Sequence, residues 1–322
     1  MDRRRFLGVA AGVVASPAVA SVAWAQSYPT RPVKLIVGAA PGGAPDLFAR
    51  IVADWLSPQL GQSFVVDNRP GAGSNLATEA AVRAAADGHT LLMVTAMNAF
   101  SAGLYDNLSF DVVRDIAPVG GVMHGTGVVV VRPTLPVRSI PELIAHAKAD
   151  PGKLLMASAG VGSAPHLYGE LFKSMAGVDL IHVPYRAGAA ALTDLLAGHV
   201  DLMFDTIPTS IEHIRSGRLR ILGVTIGSRW PALPEVPSVG EFVPGYAAEG
   251  WMGLGAPRGT QPEIIERLNR EMNRGLADDG VRASFDRLAA APLVMNPAEF
   301  GAHVAAETAK WGRVIRAAGI RV

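Results

Sequence analysis

From Val33 to Thr225, short β-branched and apolar runs alternate with stretches whose apolar residues recur at helical spacing. That alternation predicts parallel strands covered by helices, an α/β fold. Strands are expected at residues 33–39, 64–67, 90–94, 128–132, 153–157, 180–183, 201–204 and 219–225. Between them, Leu47, Ile51, Val52, Trp55, Leu56 and Leu60 form one stripe and Leu167, Leu171, Phe172 and Met175 another; both read as core faces. Ser139-x-x-Glu142 and Thr260-x-x-Glu263 read as capping boxes. Asn296-Pro297-Ala298-Glu299 adds a Pro at the first helical position and opens a C-terminal helix ending near Gly319.

Two segments break the rhythm: residues 117–127, rich in Gly, and residues 230–256, rich in Pro and Gly. They read as two crossings between lobes. The first lobe is then residues 26–122 and 250–322 and the second residues 123–249, hinged about a ligand cleft. Length agrees, because about 300 residues exceed what one core usually supports.

Arg3-Arg4-Arg5-Phe6-Leu7 precedes an uncharged Ala/Val-rich stretch ending in Ala23-Trp24-Ala25. These are the parts of a cleavable secretory signal of twin-arginine type, residues 1–25, cut after Ala25 to leave a periplasmic chain starting at Gln26. Gly12, Ser16, Pro17 and Ser21 interrupt the stretch, against an uncleaved membrane anchor. The chain has 29 basic and 28 acidic residues. Cleavage removes three Arg and one Asp and leaves a net charge of −1, which implies no nucleic-acid or membrane partner. There is no Cys, so disulfides, thiolate metal sites, thiol nucleophiles and a lipid anchor are excluded. The eight His form no metal-binding pair, and no cofactor is expected.

In open parallel sheets, ligands bind beyond the carboxyl ends of strands. Two Gly-rich turns follow expected strands and enter helices: Ala40-Pro41-Gly42-Gly43-Ala44-Pro45-Asp46 in the first lobe, and Ser158-Ala159-Gly160-Val161-Gly162-Ser163-Ala164-Pro165-His166 in the second. Unpaired N–H groups and the positive dipole end at such helix starts favour an anion. Neither turn is a nucleotide motif, since the third Gly of G-x-G-x-x-G is missing. Each alone could be a tight connection with Ser163 as an N-cap; the pattern in both lobes favours an anion site. Asp205 follows a strand and could face the cleft or cap the helix from Ile207. Asn98 could present its amide to the cleft, Arg186 could attract the anion, and His166 in a first helical turn suits capping or surface roles better than catalysis.

At these loops the chain resembles the substrate-binding proteins of tripartite tricarboxylate transporters, the TctC-like or Bug-type receptors. The resemblance runs from Tyr28 to about Gly319. It rests on Tyr28-Pro29-x-Arg31-Pro32, Pro41-Gly42-Gly43-x-x-Asp46, Asn68-Arg69-Pro70-Gly71-Ala72-Gly73, Asp87-Gly88-x-Thr90-Leu91-Leu92, Gly160-x-Gly162-Ser163-x-x-His166-Leu167, His182-Val183-Pro184-Tyr185, Met203-Phe204-Asp205, Leu233-Pro234-x-Val236-Pro237 and Lys310-Trp311. It implies a type II periplasmic-binding fold with Venus-flytrap closure on a small carboxylate, membrane permease subunits as partners, and a monomer. The implied ligand residues are Gly42, Gly43, Ala44, Asp46, Asn98, Ser158, Gly160, Gly162, Ser163, His166, Tyr185 and Asp205. Gly38-Ala39 departs from a Pro-Phe pair common in the family, Pro45 stands where Ser or Thr is frequent, and Ser74 replaces a Gly. Loss of the aromatic at Ala39 leaves room for a bulkier or aromatic acid.

A sensory receptor for a membrane kinase would use the same pocket. A secreted hydrolase using Ser163, His166 and Asp205 fits poorly, because Ser163 and His166 share one helical turn and no G-x-S-x-G elbow projects a nucleophile.

Overall fold

The computed structural model describes residues 28–322; the expected export signal and its cleavage point lie outside the described residues. The chain opens with β1 (Val33–Val37), α1 (Ala44–Leu60), β2 (Phe64–Asn68), α2 (Asn75–Val82), β3 (Thr90–Thr95), α3 (Ala96–Leu104) and the short α4 (Val112–Asp115). A 16-residue strand, β4 (Ile116–Val131), follows. Then come α5 (Ile140–Ala149), β5 (Leu155–Ser158), α6 (Ala164–Ala176), β6 (Ile181–Pro184), α7 (Gly188–Ala197), β7 (Leu202–Thr206), α8 (Ile207–Arg215) and β8 (Arg220–Val224). The chain returns through β9 (Glu249–Pro257) and closes with α9 (Pro262–Ala277), α10 (Asp279–Arg287), β10 (Ala291–Pro292) and α11 (Pro297–Ala317).

Each of two lobes is built on a sheet, and β4 belongs to both. The first sheet runs β2-β1-β3-β9-β4, with β10 also on β4. The second continues β4-β7-β5-β6, with β8 on the other side of β4. Residues 116–126 of β4 pair antiparallel with β9, and residues 127–131 with β7. The β1–β2, β1–β3, β5–β6 and β5–β7 pairs are parallel, as the strand–helix rhythm requires.

The first crossing, residues 117–127, is therefore paired strand throughout, and the second is paired over residues 249–256. A Cβ at Gly253 would collide with the Phe300 ring and the Gly120 carbonyl, and one at Gly121 with the Leu293 carbonyl. Here Gly lets helices and neighbouring backbone sit against the sheet.

Most strand positions are sealed; in β1, Val33, Leu35, Ile36 and Val37 are all buried. The α1 stripe covers them, with two exceptions to the expected core. Leu47 is 37% exposed and Met175 38%, while Phe48 beside Leu47 is buried. Asn296 and Glu299 form the expected reciprocal cap of α11. Ser139 Oγ accepts from Glu142 N, and Glu142 Oε2 accepts from Arg138 N. Thr260 does not cap α9: its hydroxyl donates to Pro257 O, and Gln261, just before Pro262, holds the cap position. Among the described residues no helix is long and apolar enough to cross a membrane.

At the back, α11 ties the lobes together. Trp311 packs edge-on against Phe100 of α3 at 5.0 Å and at a 32° tilt against Tyr168 of α6 at 5.8 Å, and its indole N–H donates to Glu307 Oε2 at 2.8 Å.

Candidate functional site

A cavity of about 720 Å3 opens between the lobes, within the roughly 300–1,000 Å3 usual for small-molecule sites. Four helices that begin where strands end bring their first turns to it: α1 through Ala44 and Pro45, α3 through Ala96 and Met97, α6 through Ala164, and α8 through its cap residue Thr206. First-turn N–H groups have no partner within their own helix. In α1, α6 and α8 the second residue is proline, Pro45, Pro165 and Pro208. Each of these helices therefore starts with one lone amide on its first residue before the proline gap.

The crossing strands form the base of the cavity. Met123, Gly125, Thr126 and Gly127 come from β4, and Gly250, Trp251 and Met252 from β9. No lining residue among those described is Asp, Glu, Lys, Arg or His; the polar side chains are hydroxyls, on Ser74, Thr95, Thr126, Tyr168, Thr206 and Thr209, and the Trp251 indole, whose N–H faces Glu307 Oε2.

Of the residues singled out from sequence, Gly42, Gly43 and Ala44 line this cavity. Asp46 lies behind them. Its Oδ2 accepts from Gly42 N at 2.9 Å and Arg50 Nε at 3.0 Å, and the Arg50 guanidinium holds the carboxyl below its ordinary range. It braces the turn from inside. Asn98 is buried one residue beyond the lining Met97; its Oδ1 accepts from Thr95 N at 2.7 Å and its amide donates to Thr78 Oγ1 at 2.7 Å.

In the second lobe, Ser158, Gly160, Gly162, Ser163 and His166 bond mainly to one another, and the lining begins at Ala164. Ser163 Oγ donates to Gly160 O at 2.7 Å, Ser158 Oγ sits 2.6 Å from His182 Nε2, and Gly162 N donates to His166 Nδ1 at 3.1 Å. Gly160 and Gly162 have φ of 120° and 75°, a turn open to few other residues. Burial, with a smaller contribution from Lys173, pushes the His166 pKa down to about 4. Tyr185 donates its phenol to Asp194 Oδ2 at 2.6 Å, and burial together with Asp194 pushes its pKa up to about 12. Asp205 is buried and accepts from Thr209 and Ser210 hydroxyls; burial pushes its pKa up. Its partner Thr209 lines the cavity.

The crossing-strand residues, Tyr168 and the Leu288–Ala290 turn were missed from sequence. Apolar residues on Gly-rich segments carry no chemical signature, and only the antiparallel register of β4 with β9 brings Met123 opposite Met252. Chemically the arrangement can hold an anion with neutral dipoles. A serine hydrolase needs a free hydroxyl beside a base, but the Ser163 hydroxyl is committed to a carbonyl and His166 Nδ1 to a backbone amide.

Residues 48–320 match the model of the tripartite tricarboxylate transporter family receptor. Protein BugT of Bordetella pertussis is 36% identical over 325 residues, covering 100% of both chains. The structure of R. palustris Rpa4515 with adipate is similar at a TM-score of 0.80 and 37% identity, over 92% of this chain and 100% of that one. MatC from Rhodopseudomonas palustris with bound malate follows at 0.75 and 30%, over 89% and 100%. The family model spans most of the sequence and the two-lobed fold is shared with solved members, so this chain belongs to the receptor family of the tripartite tricarboxylate transporters.

Proposed function

We propose that the chain is an exported periplasmic receptor, mature from Gln26, that captures a small carboxylic acid and delivers it to the membrane permease subunits of a tripartite-type transporter. The observation that carries this reading is the cavity itself, where four helix N-termini from both lobes meet without a charged lining side chain. Helix N-termini attract anions through unpaired N–H groups and the macrodipole. A charge-assisted hydrogen bond contributes about 1.5–3 kcal/mol, and micromolar affinity corresponds to about −8 kcal/mol, so several must act together after association costs. Relatives crystallised with adipate and malate support a carboxylate ligand. The role is binding without turnover, in keeping with the committed Ser163 and His166.

Closure follows from the same geometry: residues from both lobes line the cavity, and the chain passes between the lobes through β4 and back through the start of β9. Calorimetry with benzoate, phenylacetate, hexanoate, adipate and malate, each beside its amide, tests the capture, and small-angle scattering at saturation tests the closure. At least one acid should bind while its amide does not, and its binding should reduce the radius of gyration. Amides that bind as tightly as their acids would sink the carboxylate reading; an unchanged scattering profile with a bound acid would sink the closure.

A further inference from the structure

Resting on that carboxylate reading, we propose that the cleft is built for an arenecarboxylate, a single carboxylate on an apolar, aromatic-sized body, rather than for a diacid. Most of the first-lobe side chains that line the cavity are apolar. Met123 and Met252 are register partners on β4 and β9, Met97 comes from the start of α3, Phe48 from α1, and Leu288 from the turn after α10. Phe48 and Met123 belong to the first-lobe core, with Met252 and Leu288 packed on it. Three thioethers from three elements make a polarizable, adaptable wall, and sulfur favours the edges of aromatic rings. Ala39 adds only a methyl group to the lining and leaves width for a ring.

The charges point the same way. A second carboxylate against this wall would be stripped of water with no cation to compensate, since no Lys, Arg or His is among the described lining residues. Ahead of the first-lobe helices the chain already supplies its own acceptors, and the Asp46 carboxylate sits in the first turn of α1. Asp46 takes the Gly42 amide ahead of α1, and Asn98 takes the Thr95 amide ahead of α3. In the second lobe, the carboxyl of Asp205 sits buried one residue before the cap of α8. The start of α6 has no acidic residue in its first turn and offers Ala164 to the cavity, the place for the one ligand carboxylate. The ring then lies across the methionines.

The acid panel above separates this proposal from the reading beneath it, because the acid-against-amide contrast tests capture and the ranking among acids tests the body. Benzoate or phenylacetate should bind at least tenfold more tightly than adipate and malate. Leu288→Lys, on a partly exposed turn, should weaken phenylacetate at least tenfold and strengthen adipate by supplying the missing cation. Ala39→Phe, which fills the ring space from the cavity side, is the second variant; it should weaken both arene acids at least tenfold, and thermal melting confirms that each variant folds. Adipate or malate binding more tightly than both arene acids would overturn the proposal and leave the receptor reading intact. So would folded Leu288→Lys and Ala39→Phe variants whose arene-to-diacid ratio matches that of the parent. If no acid in the panel bound, the receptor reading would fall and this proposal with it.

Discussion

His166 shows how far a residue can be read from its neighbours in sequence. It occupies the third position of α6, and because side chains on a helix tilt toward its N-terminus, the ring turns back to accept from Gly162 N instead of reaching the cleft. There it stacks on His182 at 3.7 Å and 12°. Burial, then Lys173, holds His166 at about 4, and burial, then the neighbouring His166, holds His182 at about 4. An unfolded histidine protonates near 6.5. Between that value and about 4 the unfolded chain binds more protons than the folded one, so the stabilisation is complete above about pH 6.5 and is lost as pH falls toward 4. Melting temperatures across pH 7.5 to 4 should decline over that window, and a His166→Asn/His182→Asn double variant should flatten the decline. An equally steep decline in the variant would remove the pair as its cause. The turn around Gly42 and Gly43 was legible in sequence because backbone groups need only a glycine and a helix start. The aim of the His166, Asn98 and Asp46 side chains was not, because it depends on partners such as Thr78 and His182 brought in from elsewhere in the chain.

Among the elements, strands with unbroken apolar runs were read to within a residue or two, as β1, β2 and β3 show. Of the central strands, β4 was expected as a strand only from residue 128 and β9 not at all, and both fall largely within the expected crossings. A run such as Gly120-Gly121 argues against a strand on propensity, yet these glycines are what the packing demands. Gly253→Ala would press a methyl group into the Phe300 ring and the Gly120 carbonyl and should cost about 1–3 kcal/mol by overpacking. Gly188 is the opposite case. It opens α7 with only the Ala159 side chain near the added position, at 3.9 Å, so Gly188→Ala should be neutral or stabilise by about 0.4–1 kcal/mol. Urea unfolding of the two variants decides this; equal midpoints would show that the β4–β9 glycines are permissive rather than required. The same dependence on surroundings made Thr260 look like a cap, although Pro262 sets the helix start and leaves the cap position to Gln261.

At the scale of the molecule, two lobes were legible because two βα series flank a break in rhythm, whereas the bracing of both by α11 through Trp311 was not, since it joins Phe100 and Tyr168 across long sequence separations. The place of β9 between β3 and β4 has a further consequence, for the order in which the chain assembles. All strands of the second sheet are present once residue 224 has been made, whereas the first sheet keeps a gap until residues 249–257 arrive to fill it. Contacts closed over short separations form sooner. During refolding, the amides of β5 and β7 should gain protection from hydrogen exchange before those of β9, whose partners on β3 are far away in sequence, and simultaneous protection would refute that order. Until the gap is filled, β3 is an uncovered edge of mostly buried residues, open to pairing with another chain. The vulnerable moment in the life of this protein is thus the interval between completing one lobe and inserting a single late strand into the other.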